Sequence, residues 1–126
     1  MASPATPAST RPLQDAPDDE VFASAAGLFR LLSTPIRLKI ISAVCQREKN
    51  VSELLAEIDT TQPNMSQHLS VLHQRGVLAR RRDGNQIYYR VQSEQVAMLC
   101  RAVCTQMAID LGGDAGVADA GRLPPP

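Results

Sequence analysis

Between Thr61 and Val91 a short helix with one narrow apolar stripe passes directly into an arginine-rich hairpin, a succession that few folds accommodate. Thr61 offers an N-cap side chain to backbone N–H groups that lack intrahelical partners. Pro63 is tolerated in a first turn where its missing N–H costs nothing, and Gly76 suits the left-handed residue that ends a helix. Inside these limits Met65, Leu69 and Leu72 recur at i, i+4 and i+7 and predict one buried face. Gln62, Asn64, Ser66, Gln67, Ser70, His73 and Gln74 occupy the remainder, a surface of amides and hydroxyls rather than of long charged chains.

Val77–Arg81 and Ile87–Val91 read as two short strands joined across Asp83-Gly84-Asn85, which places Arg80, Arg81 and Arg82 near a hairpin tip. Taken singly, the helix is an ordinary solvated amphipath and the arginines a charged strand edge that discourages aggregation. Taken together they have a sharper use. Amides and hydroxyls can bond base edges in a major groove, and guanidinium groups on a projecting ribbon can reach phosphates or the minor groove. The candidate DNA contacts are therefore Gln62, Asn64, Ser66, Gln67 and Ser70 on the helix, with Arg80, Arg81 and Arg82 on the hairpin.

The charge distribution agrees. The chain is formally neutral, yet residues 21–110 hold 11 Lys and Arg against 7 Asp and Glu, and the two ends hold 2 against 6. Residues 62–90 alone hold five arginines against Asp83, which concentrates positive field on the proposed binding face. Residues 1–19, rich in Ala, Pro, Ser and Thr, and residues 112–126, closing on three prolines, are expected to be disordered tails around one domain at 20–111. No apolar run approaches the roughly 18 residues of a membrane span and no secretory h-region is present, so a cytoplasmic location is expected. Nothing supplies a Gly-rich phosphate loop, a carboxylate pair or a nucleophile with its base, which argues against an enzyme and calls for no cofactor.

Upstream, Phe22, Ala25, Ala26, Phe29 and Leu32 predict a first helix over 22–32. Thr34 and Pro35 then start a second, with Leu38, Ile41 and Cys45 as its stripe, widened by Ile40 and Val44. Asn50-Val51-Ser52-Glu53 has the spacing of a variant capping box and opens a short third helix to about Ile58. Ser93 can cap a last helix over about 94–111, with Val96, Leu99, Cys100, Val103, Cys104 and Met107 along one side. The fold class is mainly α with a small β-hairpin: four helices, a two-stranded wing and a fifth helix, in the order of a winged helix-turn-helix.

Leu31-Leu32-Ser33-Thr34-Pro35-Ile36-Arg37-Leu38, Val51-Ser52-Glu53-Leu54, Ser66-Gln67-His68-Leu69-Ser70-Val71-Leu72 and Gly84-Asn85-Gln86-Ile87-Tyr88-Tyr89 resemble the ArsR/SmtB winged-helix repressors over about residues 22–108. The resemblance implies a homodimer built from first and last helices, two recognition helices on an imperfect palindrome of double-stranded DNA, and release when an inducer binds. It also implies what is absent. The positions matching the family's last-helix zinc ligands are Ser93, Gln95, Gln106 and Ile109, and the arsenic-sensing Cys-x-Cys falls on Val51-Ser52-Glu53-Leu54.

The chain does carry Cys45, Cys100 and Cys104, an odd set expected to be free thiols in a reducing compartment. Each falls on an apolar helical face, where a cysteine also serves as a small core residue. A narrower resemblance is to the family's sulfide- and persulfide-sensing subgroup, which pairs a cysteine of the second helix with one of the last. Those positions align with Ser42 and Ala108, so Cys45 lies three residues after one and Cys104 four before the other. If the two helices run antiparallel, the offsets move both thiols about one turn the same way. Cys100 and Cys104, at i and i+4, have Cβ atoms about 5–6 Å apart, beyond the roughly 3.5–4.5 Å of a disulfide. Arg101 could lower the pKa of Cys100 only if the side chains approach. His68 and His73, five apart, are poorly placed to share a metal; His68 suits packing or a phosphate contact.

The function expected is a homodimeric DNA-binding transcriptional repressor switched by persulfide or disulfide chemistry at Cys45 with Cys104 or Cys100. Two alternatives stand beside it. One is a thiolate regulator holding As(III) or another thiophilic ion at Cys45, Cys100 and Cys104. The other is a dimer that acts through protein contacts without DNA, for which the wing arginines would be dispensable.

Overall fold

The computed structural model describes residues 18–112, so nearly all of both expected tails lies outside the described residues. The chain divides into two compact units at Thr34/Pro35. The first contains helix α1 (Asp19–Leu31). It starts three residues earlier than the apolar spacing predicts because Asp18 is a true N-cap, its carboxylate accepting from the Val21 N–H at 3.1 Å, while Asp19 and Glu20 face the positive end of the helix dipole. Asp18, Asp19 and Glu20, at the edge of the stretch expected to be disordered, are thus helix-starting chemistry.

The second unit holds α2 (Pro35–Gln46), β1 (Lys49–Asn50), α3 (Val51–Glu57), α4 (Gln62–Gln74), β2 (Leu78–Asp83), β3 (Gln86–Val91) and α5 (Glu94–Gly112). The helix order is the expected one. The two-stranded wing is the β2–β3 hairpin, and β1 adds a strand that was not expected, giving a three-stranded antiparallel sheet in the order β1-β3-β2. Lys49 pairs with Tyr89 and Asn50 with Tyr88. Two residues with no alternation to betray them gave no strand signal; only the approach of β3 makes them a strand. The hairpin is longer and its turn tighter than predicted, with Asp83 opposite Gln86 and only Gly84-Asn85 between them, Gly84 at φ 69°.

Local chemistry sets the other boundaries. The Asn50 side chain accepts from the Glu53 N–H while Glu53 accepts from the Asn50 N–H, both at 2.9 Å, so the capping box is complete. Thr61 Oγ1 accepts from the Asn64 N–H at 3.2 Å and opens α4. At its other end Gly76, φ 81°, lets the Gly76 N–H reach the His73 carbonyl and the Val77 N–H the Leu72 carbonyl, the paired bonds of a Schellman stop. Ser93 Oγ accepts from the Val96 N–H at 3.2 Å at the start of α5.

The core of this unit is built from Ile40, Ile41, Leu54, Met65, Leu69, Leu72 and Leu78, all fully buried. The Met65, Leu69 and Leu72 stripe is therefore the packed face of α4. Along α2 the buried face is Ile40, Ile41, Ala43 and Val44; Cys45, expected within that stripe, is exposed. Along α5 only Val96, Ala97 and Cys100 are buried, and Val103, Cys104 and Met107 of the expected apolar side face outward. No helix among the described residues is long and apolar enough to cross a membrane.

Candidate functional site

The helix-turn-helix consists of α3, a turn at 58–61 and α4. With the apolar face of α4 buried, Gln62, Asn64, Ser66, Gln67 and Ser70 are all exposed. Four of the five have side chains with no recorded partner among the described residues; Asn64 donates its amide to Thr60 Oγ1 at 2.8 Å and braces the turn. His68 lies half-buried on the flank of α4, where its Nδ1 accepts from Arg37 Nε at 3.0 Å. Burial first, then the Arg37 charge, holds its pKa below the ordinary histidine value. A neutral imidazole tying α2 to α4 is a packing device.

The three wing arginines are not equivalent. All are exposed on β2, but a strand alternates its side chains, so Arg81 takes one face and Arg80 and Arg82 the other. Arg81 forms a bidentate pair with Glu48, its Nε at 3.0 Å from both oxygens and a terminal nitrogen at 2.8 Å from Oε1, and its guanidinium sits 4.8 Å from the centroid of Tyr88, its cross-strand partner. The pairing holds the Glu48 carboxyl below, and the Arg81 guanidinium above, their ordinary values. Arg80 and Arg82 have no ion-pair partner among the described residues. Arg81 thus braces the wing base, and its neighbours are the uncommitted cations. Beneath the sheet, buried Lys49 donates to both oxygens of Glu57 at 3.1 and 2.8 Å, locking β1 to the end of α3. Neither Glu48 nor Glu57 stood out in the sequence, because each acquires its role from a residue brought near by folding.

All three cysteines line one cleft of about 590 Å³ between α2 and α5, with Ser42 and Ala108 also on its walls. Cys45 and Cys104 are exposed there and Cys100 is buried. Burial pushes the Cys100 thiol up, and the nearby Cys104 and Cys45 add to the shift. Arg101, also on the cleft wall, does not oppose that rise. Among the described residues no three His, Cys, Asp or Glu side chains are arranged to hold a metal ion.

Residues 34–79 match the family model described as bacterial regulatory protein, arsR family. The biofilm growth-associated repressor of Xylella fastidiosa (strain 9a5c) is 37% identical over 97 residues, 76% of this chain and 85% of that protein. The chain belongs to the arsR family. Solved structures of arsR-type regulators carry the same architecture. The transcriptional repressor BigR from Xylella fastidiosa is similar with a TM-score of 0.64 and 32% identity, over 80% of this chain and 96% of that one. The homodimeric winged helix-turn-helix DNA-binding domain of Mb0332 from Mycobacterium bovis, a possible ArsR-family regulator, gives 0.65 and 25% identity over 77% of this chain and 93% of that one. This arsR-family chain is accordingly a DNA-binding transcriptional regulator with a winged helix-turn-helix, not an enzyme.

Proposed function

We propose that this regulator is a cytoplasmic homodimeric repressor that leaves its operator when Cys45 and Cys104 become linked through sulfur. The observation that carries the reading is the convergence of three thiols on one cleft between α2 and α5, with Cys45 and Cys104 accessible and Cys100 buried. The chemistry is sulfur exchange. The Cys45 thiolate attacks the outer sulfur of an alkyl persulfide R–S–SH, the S–S bond breaks, and R–SH leaves with the proton given up by Cys45. Cys104 then attacks the inner sulfur of the Cys45 persulfide, forming a Cys45–Cys104 disulfide and releasing hydrogen sulfide, which carries away the Cys104 proton. Cys100 is the poorer partner, since its burial and raised thiol keep it protonated.

Dimerisation is supported by apolar surface that a monomer leaves wet: Met98, Val103, Met107, Ile109 and Leu111 on α5, and Val21, Phe22 and Phe29 on α1, are each about half exposed or more. The reader contacts are Gln62, Ser66, Gln67 and Ser70, with Asn64 serving the turn as well, and Arg80 and Arg82 supply backbone contacts from the wing. A link between α2 and α5 would alter the setting of two reader helices on successive half-sites, and needs only about 1–3 kcal/mol of coupling to change occupancy decisively.

Fluorescence anisotropy on a labelled fragment from upstream of the chain's own gene tests this directly. Reduced protein should bind tightly and with steep salt dependence, and an organic persulfide should release it, whereas Cys45→Ser should stay bound. Release of Cys45→Ser would reduce Cys45 to a surface thiol. Indifference to persulfide with release by As(III) would instead favour a thiophilic ion as inducer, held by fewer than the three cysteines, since these are not arranged to hold one ion together.

A further inference from the structure

Cys45 and Arg101 are walls common to two adjoining clefts. The thiol cleft has no charged wall besides Arg101: Leu38, Ile41 and Ala108 are apolar, and Ser42, Gln46 and Thr105 are neutral polar residues. The second, about 340 Å³, is charged, with Arg47, Glu48, Arg90 and Glu94 around it. Two of these charges are already committed, Arg47 to Glu53 at 3.2 Å and Glu48 to Arg81 at 2.8 Å. The side chains of Arg101 and Glu94 have no hydrogen-bond or ion-pair partner among the described residues, and Arg90, though it makes no close ion pair, lies near enough to Glu48 for its charge to help lower that carboxyl's pKa. Arg101 also precedes Cys104 by three residues on α5, so the two side chains are neighbours on one helix face.

A reagent for the thiols therefore meets the uncommitted Arg101 guanidinium where the clefts join. A plain alkyl persulfide would use only the uncharged thiol cleft. One carrying a carboxylate would use both, its anion accepting charge-assisted bonds from Arg101 while its terminal sulfur reaches Cys45, and an ammonium on the same ligand could face Glu94. We propose that the second cleft is a selectivity subsite for carboxylated alkyl persulfides of amino-acid or short-peptide type, with Arg101, assisted by Arg90, binding the carboxylate. This rests on the thiol-switch reading, and the group lost in the exchange is then the carboxylated thiol R–SH.

The test compares rates of Cys45 modification in the full chain, followed by mass spectrometry, with cysteine persulfide, glutathione persulfide and the neutral 2-hydroxyethyl persulfide. At least one carboxylated reagent should react about tenfold faster than the neutral one, the discrimination expected of a single charge-assisted contact open to solvent. Whichever of the two is faster identifies the amino-acid or the peptide form. Arg101→Gln should bring that ratio toward one, and Arg101→Lys should restore most of it. Equal rates in the wild-type chain, or an unchanged ratio in Arg101→Gln, would overturn the subsite. Calorimetry with unreactive S-methylglutathione separates this from failure of the switch: if no persulfide modifies Cys45, binding that weakens about tenfold in Arg101→Gln still upholds the subsite, and binding indifferent to Arg101 ends it.

Discussion

At the scale of single residues, neighbours decide what a charge can do. Arg80, Arg81 and Arg82 are identical in sequence terms, yet Arg81 is spent on Glu48 and Tyr88. Arg80→Ala should therefore weaken binding to every DNA sequence and lower the salt slope by about one, and Arg81→Ala should change that slope less. Equal slopes in titrations from low to high salt would show that the Glu48 pair opens on DNA. His68 illustrates the same point with a proton. Its pKa is held down in the folded state by burial and Arg37, so the unfolded chain binds the proton more readily. Stability should be unaffected by this group above about pH 6.5 and should fall as the pH drops through and below that value. Thermal melts between about pH 7.5 and 5 should show a smaller decline in His68→Gln than in the parent chain.

Among the elements, α4 is defined by its ends. Gly76 has open space where a Cβ would go, but its φ of 81° is one that other residues rarely adopt. Gly76→Ala should cost about 1–2 kcal/mol through backbone strain alone, with Gly76→Asn less harmful, as chemical denaturation would report. Thr61→Ala removes the cap at the opposite end and should cost about 1 kcal/mol. Leu69→Ala, by contrast, empties the fully buried centre of the stripe and should cost about 2–5 kcal/mol. These boundaries were legible because each depends on residues within a few positions of one another. The short strand β1 was not legible, since Lys49 and Asn50 become a strand only where folding lays Tyr89 and Tyr88, distant in the chain, beside them.

Across the whole molecule, the exposed apolar residues of α5, Met98, Val103, Met107, Ile109 and Leu111, are the surface on which the proposed homodimer rests. If that proposal holds, Met107→Glu should shift the protein toward monomer in sedimentation and weaken operator binding together, because the proposed dimer sets one α4 on each of two half-sites. A variant that remains dimeric would place the dimer contact elsewhere.

Local signals in the chain were enough for the class of the fold, the extent and caps of α4, the position of the wing and its excess of positive charge. These follow from periodicity, capping chemistry and composition, all of which act over short stretches of chain. Only the tertiary structure decided which arginine is braced and which are uncommitted, that Glu57 neutralises a buried Lys49, and that Cys45, Cys100 and Cys104 share one cleft while differing in exposure. Those properties depend on distances between residues far apart in the chain, and such distances are set by how α2, α5 and the sheet pack rather than by any local pattern.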